Sequence, residues 1–582
     1  MYWKITNRTM VHRIKKGEEM DENFLCKQEF YSELYADYII ETGGNIGAIQ
    51  RKYAPDCISQ IDSGFITLFE NQQTKGMVSF EKYGYGAVPK CYGLLDVSSI
   101  ESTGALRVRR RPNFSLDGSG VLVGFVDTGI DYTNDVFINA DGTTRISYIW
   151  DQTVEDGTAP EGIGYGAEYG KEKINQALTS ENPRDVLWVE DPTYHGTYLA
   201  AITAGKDKGD VFTGMVPNAE ILMVKVKEAK GYLREFYGIS KEVACYQEND
   251  IMMGVRYLWE KAAMLRKPIV ICIGMGTNAG SHTGDSPLEL LINRVGNLSG
   301  VCIVGAAGNE TNMAHHYAGT VEGVKEQIVE VDVEQEQGMT LEIWTNSIGA
   351  ISVGITSPEG EFSGRIPIRT YEQKVDFVFI PTTVSIYYDR FEYYSGQEVI
   401  TFRMDRLVKG IWKLHVINLS NEEISYNIWL PIRNFVSEKT KFLQPNPDTI
   451  VCAPGNGAQI ITTGAYNHRD NSIFLNSSRG FTADSRVKPD LVAPGVNVYG
   501  PVSPLRYGER SGTSVAAAHT AGAAAMLLEW GIVRQNDLEM NTRVVKRYLI
   551  YGAKRPELEV PSKSYGWGSL DVYKAFEQLR NT

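Results

Sequence analysis

Two textures of apolar residues divide this chain. In the first, short and nearly unbroken apolar runs alternate with longer stretches of helical spacing. Residues 121–126, 221–226, 269–274 and 301–306 are such runs, and 250–264 has the spacing of a helix. Unbroken runs belong to strands covered on both faces. Their alternation with helices predicts a parallel sheet flanked by helices on both sides. This texture spans 96–320 and returns over 446–582. Two further segments, 195–205 and 514–522, are small-residue stretches that read as buried helices, the first closed by glycine.

The second texture fills the gap. Residues 340–344, 384–388, 399–402, 411–416 and 424–429 are short runs rich in Ile, Val, Tyr and Trp, partly alternating and separated by turn residues. Several short strands of this kind predict an antiparallel sandwich, placed here at 321–445 as an insertion in the first unit. Residues 1–95 hold strand-like stretches at 38–40 and 66–69 and read as a small α+β unit.

Composition narrows the classes. The 582 residues are 43% apolar and 22% charged, with a formal net charge of −13. That is a soluble, acidic, multidomain composition, which argues against nucleic acid as the main partner. The one basic cluster, Arg107, Arg109, Arg110 and Arg111, reads as a solvated connector. No apolar stretch reaches the roughly 18–20 residues of a membrane span. The first residues lack the apolar core of a signal peptide. The seven cysteines show no metal-ligand spacing and no close pairs, so the expectation is thiols in a reducing compartment rather than a disulfide framework. No metal cluster is legible. His315 and His316 are adjacent and would seldom face one ion together. The glycines at 162, 164 and 166 lack the spacing of a dinucleotide-binding turn.

The candidate chemistry lies in four places. Asp127 closes the 121–126 run, at the strand end where open α/β sheets place their sites. His195 leads one small-residue helix and Ser514 the other, the latter within Gly512-Thr513-Ser514. Alone, the serine reads as a helix cap and the histidine as a core or capping residue. Together, a carboxylate, an imidazole and a hydroxyl are the parts of a nucleophilic triad. Asn309 follows Ala306-Ala307-Gly308 after the 301–306 run. By itself it is a turn residue.

Asp127-Thr128-Gly129-Ile130-Asp131, His195-Gly196-Thr197 and Gly512-Thr513-Ser514 resemble, in order and context, the signature segments of the subtilisin-like serine peptidases (subtilases). The resemblance implies Asp127, His195 and Ser514 as triad and Asn309 as side-chain donor to the oxyanion. It makes Gly274, Met275 and Gly276 an edge to which extended substrate adds as a strand. Ala306, Ala307 and Gly308 then border the pocket for the residue before the scissile bond (P1). Glu310 would stand at the pocket rim, where its charge gives a modest tolerance of Lys or Arg. Residues 1–95 would be a prodomain, removed by self-cleavage between about residues 85 and 96, after Leu95 of the extended-type segment Tyr92-Gly93-Leu94-Leu95 and before Asp96.

Within subtilases the chain is most similar to the clostridial Csp-type germination proteases, which combine a prodomain, a subtilase core and a jelly-roll-like insertion. Active members of that branch cleave the zymogen of a cortex-degrading enzyme, and others have lost triad residues and act as binding proteins. By that resemblance the partners are a protein or peptide substrate and the chain's own prodomain. No cofactor is required, structural Ca²⁺ is compatible but not readable, and the location is cytoplasmic or spore-associated. One departure is Ala518, where many subtilases have proline.

Two other readings compete. A catalytically silent scaffold is opposed by the intact Asp127, His195, Asn309 and Ser514. An aspartic peptidase, built on Asp127-Thr128-Gly129 and Asp62-Ser63-Gly64, leaves the helical alternation and the His195 and Ser514 contexts unexplained.

Overall fold

The computed structural model describes residues 26–95, 116–209, 211–334, 337–347, 349–555 and 559–579. The expected basic connector at 107–111 and Asp96 lie outside these residues.

The unbroken apolar runs form one eight-stranded sheet. Its order is Leu491–Pro494, Ile461–Tyr466, Val301–Ala306, Ile269–Ile273, Leu122–Asp127, Glu220–Lys225, Ile146–Asp151 and Ala167–Gly170. Every pair is parallel except the last. Successive side chains of a strand point to opposite faces, and here both faces are covered. Val270, Cys272, Cys302 and Val304 enter one core with the helices His195–Ala204 and Thr513–Leu528. Ile269, Ile271, Val301 and Ile303 enter the other with Glu248–Leu265 and Pro287–Val295. Small side chains let Thr513–Leu528 lie wholly buried against the sheet. With its extension to Val533 it is, among the described residues, the one helix long and apolar enough to cross a membrane, and nearly all of it is interior.

The helix Pro287–Val295 opens with a capping box of Ser286 and Glu289. Ser286 N and Oγ donate to Glu289 Oε2, while Oε1 has no hydrogen-bond partner among the described residues. Burial raises this carboxyl to about 7, from 4.5. A folded-state value above the unfolded one favours the folded state at low pH, and the advantage is lost as pH rises through 7. Glu289→Gln keeps the acceptor and removes the ionisable proton. It is therefore expected to match wild type near pH 5 and to be more stable at pH 8, by about 1–3 kcal/mol. Calorimetry at the two pH values checks this; an equal difference at both would remove Glu289 ionisation from the account.

The β-rich texture forms two antiparallel sheets. One has six strands in the order His316–Val321, Ile424–Trp429, Met339–Thr345, Glu398–Asp405, Thr383–Asp389 and Gln373–Asp376. The other has four: Ile351–Thr356, Gly410–Asn418, Glu326–Val333 and Lys441–Phe442. They pack face to face over Val331, Ile343, Phe402, Trp412, Leu414 and Ile428. Alternation is clean in Gly410–Asn418, where Trp412, Leu414 and Val416 are buried and Lys413 and His415 are not. It fails in Met339–Thr345, every residue of which is buried. The outer face of the six-stranded sheet is covered too. Trp344, Tyr387, Val399 and Trp429 share a core with Tyr38, Phe80 and Tyr85 of the N-terminal unit and with Leu233 and Phe236 beside the large sheet.

The N-terminal unit is a three-stranded antiparallel sheet with Phe65–Asn71 between Tyr35–Glu41 and Cys57–Gln60. It docks through charge as well as apolar contact. Asp37 and Lys230 form a buried ion pair at 2.6 Å, and Gln247 and Asn249 donate to the other Asp37 oxygen at 2.8 and 3.1 Å. The Glu33 carboxylate accepts from the Gly231 and Tyr232 N–H groups at the N-terminus of Gly231–Tyr237, where negative charge is favoured.

The expectation of unpaired cysteines is corrected. Cys26 and Cys57 form a disulfide, while Cys91, Cys245, Cys272, Cys302 and Cys452 are buried thiols. The two are 31 residues apart in sequence and meet only through packing of the N-terminal unit, so local spacing carried no sign of the bond.

Candidate active site

Three distant segments converge at the C-terminal edge of the large sheet. Asp127 ends the strand Leu122–Asp127, His195 begins the helix His195–Ala204, and Ser514 lies in the first turn of Thr513–Leu528. All three are buried. His195 Nδ1 is 2.7 Å from Asp127 Oδ1, and Nε2 is 3.3 Å from Ser514 Oγ. A carboxylate at Nδ1 holds the proton there and leaves Nε2 to accept from the hydroxyl. Gly274 permits the close approach. A Cβ there would stand 3.0 Å from His195 Cε1 and 3.1 Å from Asp127 Oδ2.

Two supporting residues escaped the sequence reading. The first is Asp191, four positions before His195 but within no motif. The Thr128 hydroxyl donates to Asp191 Oδ1 at 2.6 Å and accepts from Gly196 N at 3.1 Å. Thr197 donates to Asp191 Oδ2 through both N and Oγ1, each at 2.8 Å. Thr128 N in turn donates to Asp127 Oδ1 at 2.8 Å. Burial raises the Asp191 pKa, and the nearby Asp127 charge adds to the rise. The second is Thr513. Its N and Oγ1 donate to Asn309 Oδ1 at 3.1 and 3.2 Å, and its hydroxyl accepts from Gly308 N at 3.0 Å. With its oxygen so engaged, the Asn309 amide has Nδ2 as its donor.

The cleft beside these groups holds the chain's own residues 91–95. The strand Cys91–Leu94 runs antiparallel between Met275–Gly276 and Tyr246–Gln247. Leu94 lies opposite Met275, Gly93 opposite Gly276 and Tyr92 opposite Tyr246. Leu95 N then donates to Gly274 O at 3.1 Å, and Leu95 O accepts from Ser514 N at 3.0 Å. This is strand addition at a sheet edge, the way extended peptides are held. The Leu95 side chain is buried in one cluster with Ala306. Gly276 leaves it room, since a Cβ there would be 2.8 Å from Leu95 Cδ1. Ala307 and Gly308 are buried beyond Ala306, and Gly308 accommodates Cys452, whose Sγ would be 2.4 Å from a Cβ there.

Glu310 is not a rim residue, and the expected tolerance of Lys or Arg at P1 loses its basis. It is fully buried. His315 Nδ1 lies 3.0 Å from its Oε2, Arg433 N donates to the same oxygen at 3.1 Å, and Glu310 N donates to Ser478 Oγ. The connector between Ile424–Trp429 and Lys441–Phe442 folds over it, and with His315 supplies partners that make a buried carboxylate tolerable. His315 and His316 do part company. The second bonds Asn427 and stacks on Trp429 at 5.1 Å. Among the described residues, the one group of side chains with metal-ligand spacing is Cys26, Glu29 and Cys57, and its two sulfurs are joined to each other.

The subtilase family model matches residues 118–379 and 413–568. The solved structure of the Clostridium perfringens CspB protease is similar, with a TM-score of 0.74 and 33% identity, over 82% of this chain and 97% of that one. The C5a peptidase of Streptococcus pyogenes (serotype M18) is 22% identical over 498 residues, 79% of this chain and 40% of the peptidase. Serine protease AprX of Bacillus subtilis is 31% identical over 148 residues, 22% of this chain and 32% of AprX. The chain thus spans about 40% of the length of the C5a peptidases it matches. Fold, convergence of Asp, His and Ser, and family match lead to one conclusion: the chain belongs to the subtilase family and is a subtilisin-like serine endopeptidase.

Proposed function

We propose that Ser514 is the nucleophile, His195 the general base and then acid, and Asp127 the orienting carboxylate, and that their first substrate is the Leu95–Asp96 bond of the same chain. The observation that carries this is the Leu95 carbonyl oxygen, 3.0 Å from Ser514 N at the end of an extended strand. Ser514 Oγ attacks the Leu95 carbonyl carbon as His195 Nε2 takes the hydroxyl proton. Charge developing on the carbonyl oxygen is met by Ser514 N–H and Asn309 Nδ2, fixed donors in a site shut off from water. The C–N bond breaks as His195 returns the proton to the Asp96 amine. Water, activated by the same imidazole, then frees Leu95 from the serine.

After that cut, residues 91–95 would block the cleft until displaced, so activity toward other polypeptides depends on their departure. Limited proteolysis of a folded partner, as the similarity to Csp proteases suggests, fits a cleft so closely lined. Mass spectrometry of the purified chain tests the reading. A fragment beginning at Asp96 is expected, with Ser514 labelled by a serine-directed phosphonate. An intact Met1 chain that cleaves peptides would refute self-processing, and an unlabelled Ser514 would refute the assigned nucleophile.

Asn309→Ala is expected to lower kcat by about 10²–10³-fold, the loss known from the equivalent donor of subtilisin. Asn309→Asp, which keeps the acceptor for Thr513 but replaces the donor with negative charge, should be at least as poor. Burst kinetics on a chromogenic ester would show it in acylation; an unaffected burst would mean the oxyanion is held elsewhere.

A further inference from the structure

We infer that the 430–435 connector, which joins the sandwich's six-stranded sheet to Lys441–Phe442 of its four-stranded sheet, acts as a steric gate favouring glycine at the third residue before the scissile bond (P3). The inference rests on the proposed cleavage after Leu95 and names the peptide class that the same cleft accepts. In that register Leu95 is P1, Leu94 P2, Gly93 P3 and Tyr92 P4.

Gly93 is buried in an ordinary extended strand, opposite Gly276. Its backbone does not call for glycine; its surroundings do. A Cβ at Gly93 would stand 2.6 Å from Ile432 Cδ1 and 3.4 and 3.5 Å from Phe435 Cε1 and Cζ. The first distance is well inside contact range. Both neighbours are buried and belong to the core shared by the sandwich, the N-terminal unit and the large-sheet unit. They come from the 430–435 connector, not from the parallel-sheet framework that carries the triad.

The backbone of that connector is pinned on several sides, so relief of the contact falls to the Ile432 side chain, whose end lies within the buried core. Leu430 N donates to His315 O at 2.9 Å, and Leu430 O accepts from Asn278 Nδ2 at 3.2 Å. Arg433 N donates to the buried Glu310, and Phe435 N closes a turn onto Ile432 O at 2.8 Å. Glu310 thus bears on specificity by holding the gate rather than by its charge. On either side of Gly93 the cleft is permissive: Leu94 is half-buried, and Tyr92 fits entirely into a core containing Met275 and Tyr246. The accepted class is then an extended peptide with an aromatic residue at P4, glycine at P3 and leucine or a similar apolar residue at P1.

Two assays of the full chain test the gate. In the first, Gly93→Ala is expected to slow cleavage after Leu95 by at least about tenfold, the scale of forcing a methyl into a packed site. Ile432→Val removes only Cδ1, the clashing atom, and leaves a valine that the core tolerates. Adding it to Gly93→Ala should restore processing to within about threefold of wild type. In the second, processed enzyme separated from its cleaved N-terminal fragment is given Tyr-Xaa-Leu-Leu fluorogenic peptides with Gly, Ala or Val at Xaa. Wild type should favour Gly over Ala by at least about tenfold in kcat/KM, and Ile432→Val should bring the two within about threefold. Equal cleavage of the Gly and Ala peptides by wild type overturns the gate, as does a processing defect that Ile432→Val does not relieve. Failure of wild type to cut either its own chain or the Gly peptide strikes instead at the underlying assignment of Leu95 as P1.

Discussion

Replacing Ser514 by alanine is expected to lower kcat by about 10⁶-fold, the loss known from the nucleophile of subtilisin, while the chain stays folded and uncut at Leu95. The two halves of this expectation have separate grounds. Chemically, Ser514 Oγ is the hydroxyl that His195 Nε2 reaches, at 3.3 Å. Without it the imidazole has no proton to take, and only the oxyanion donors and the bound register of residues 91–95 remain to assist water. Structurally, the change removes one oxygen from a small-residue helix. Ser514 N still donates to Leu95 O, Thr513 still holds Asn309, and alanine is a good helix former. The unfolding midpoint should therefore stay close to wild type. Because residues 91–95 fill the cleft, self-cleavage is the cleaner readout than turnover of an added substrate. A Ser514→Ala chain that still yields a fragment beginning at Asp96, in preparations free of other proteases, would defeat the assignment of nucleophile.

The large sheet was legible because its causes are local, whereas Asp127, His195 and Ser514 stood out only because their three segments, in order, resemble those of the subtilases. A strand covered on both faces must be apolar at every position, as in Leu122–Asp127 and Val301–Ala306. A hydroxyl delivered at a buried helix N-terminus needs small residues around it, as in Gly512-Thr513-Ser514. What escaped was set by tertiary contact. Asp191 matters because Thr128 and Thr197 reach it, and nothing beside it in sequence says so. Glu310 read as a surface charge until the 430–433 connector, more than a hundred residues later, covered it. The strand runs of the sandwich were visible, but not that one sheet is buried on both faces. Gly93 read as part of a cleavage segment. Only the approach of Ile432 gives that glycine a reason.

Trp429→Ala is expected to cost about 3–5 kcal/mol of stability, the range for deleting a large buried aromatic side chain. Trp429 is 2% exposed at the end of the strand Ile424–Trp429. Its ring is stacked by His282 at 4.0 Å on an interplanar angle of 14° and by His316 at 5.1 Å on 11°. Its Nε1 donates to Thr449 O at 3.0 Å, which ties the sandwich to the segment where the large-sheet unit resumes. Burial lowers the His282 pKa to about 3, so at neutral pH the stack is of uncharged rings and carries no buried cation. Alanine would remove the ring contacts, leave the Thr449 carbonyl without this donor, and open space between the sandwich and the large-sheet unit. Trp429→Phe separates these terms. It keeps a ring against the histidines and loses the N–H, so it should cost about 1–2 kcal/mol. Denaturant midpoints measured on the Ser514→Ala background, where self-cleavage cannot blur them, rank the two variants. Limited proteolysis should find the connector at 430–449 newly open in the alanine variant and closed in the phenylalanine one. A midpoint for Trp429→Ala within error of its parent would mean that Trp429 does not hold the sandwich on and that the rest of its outer face does.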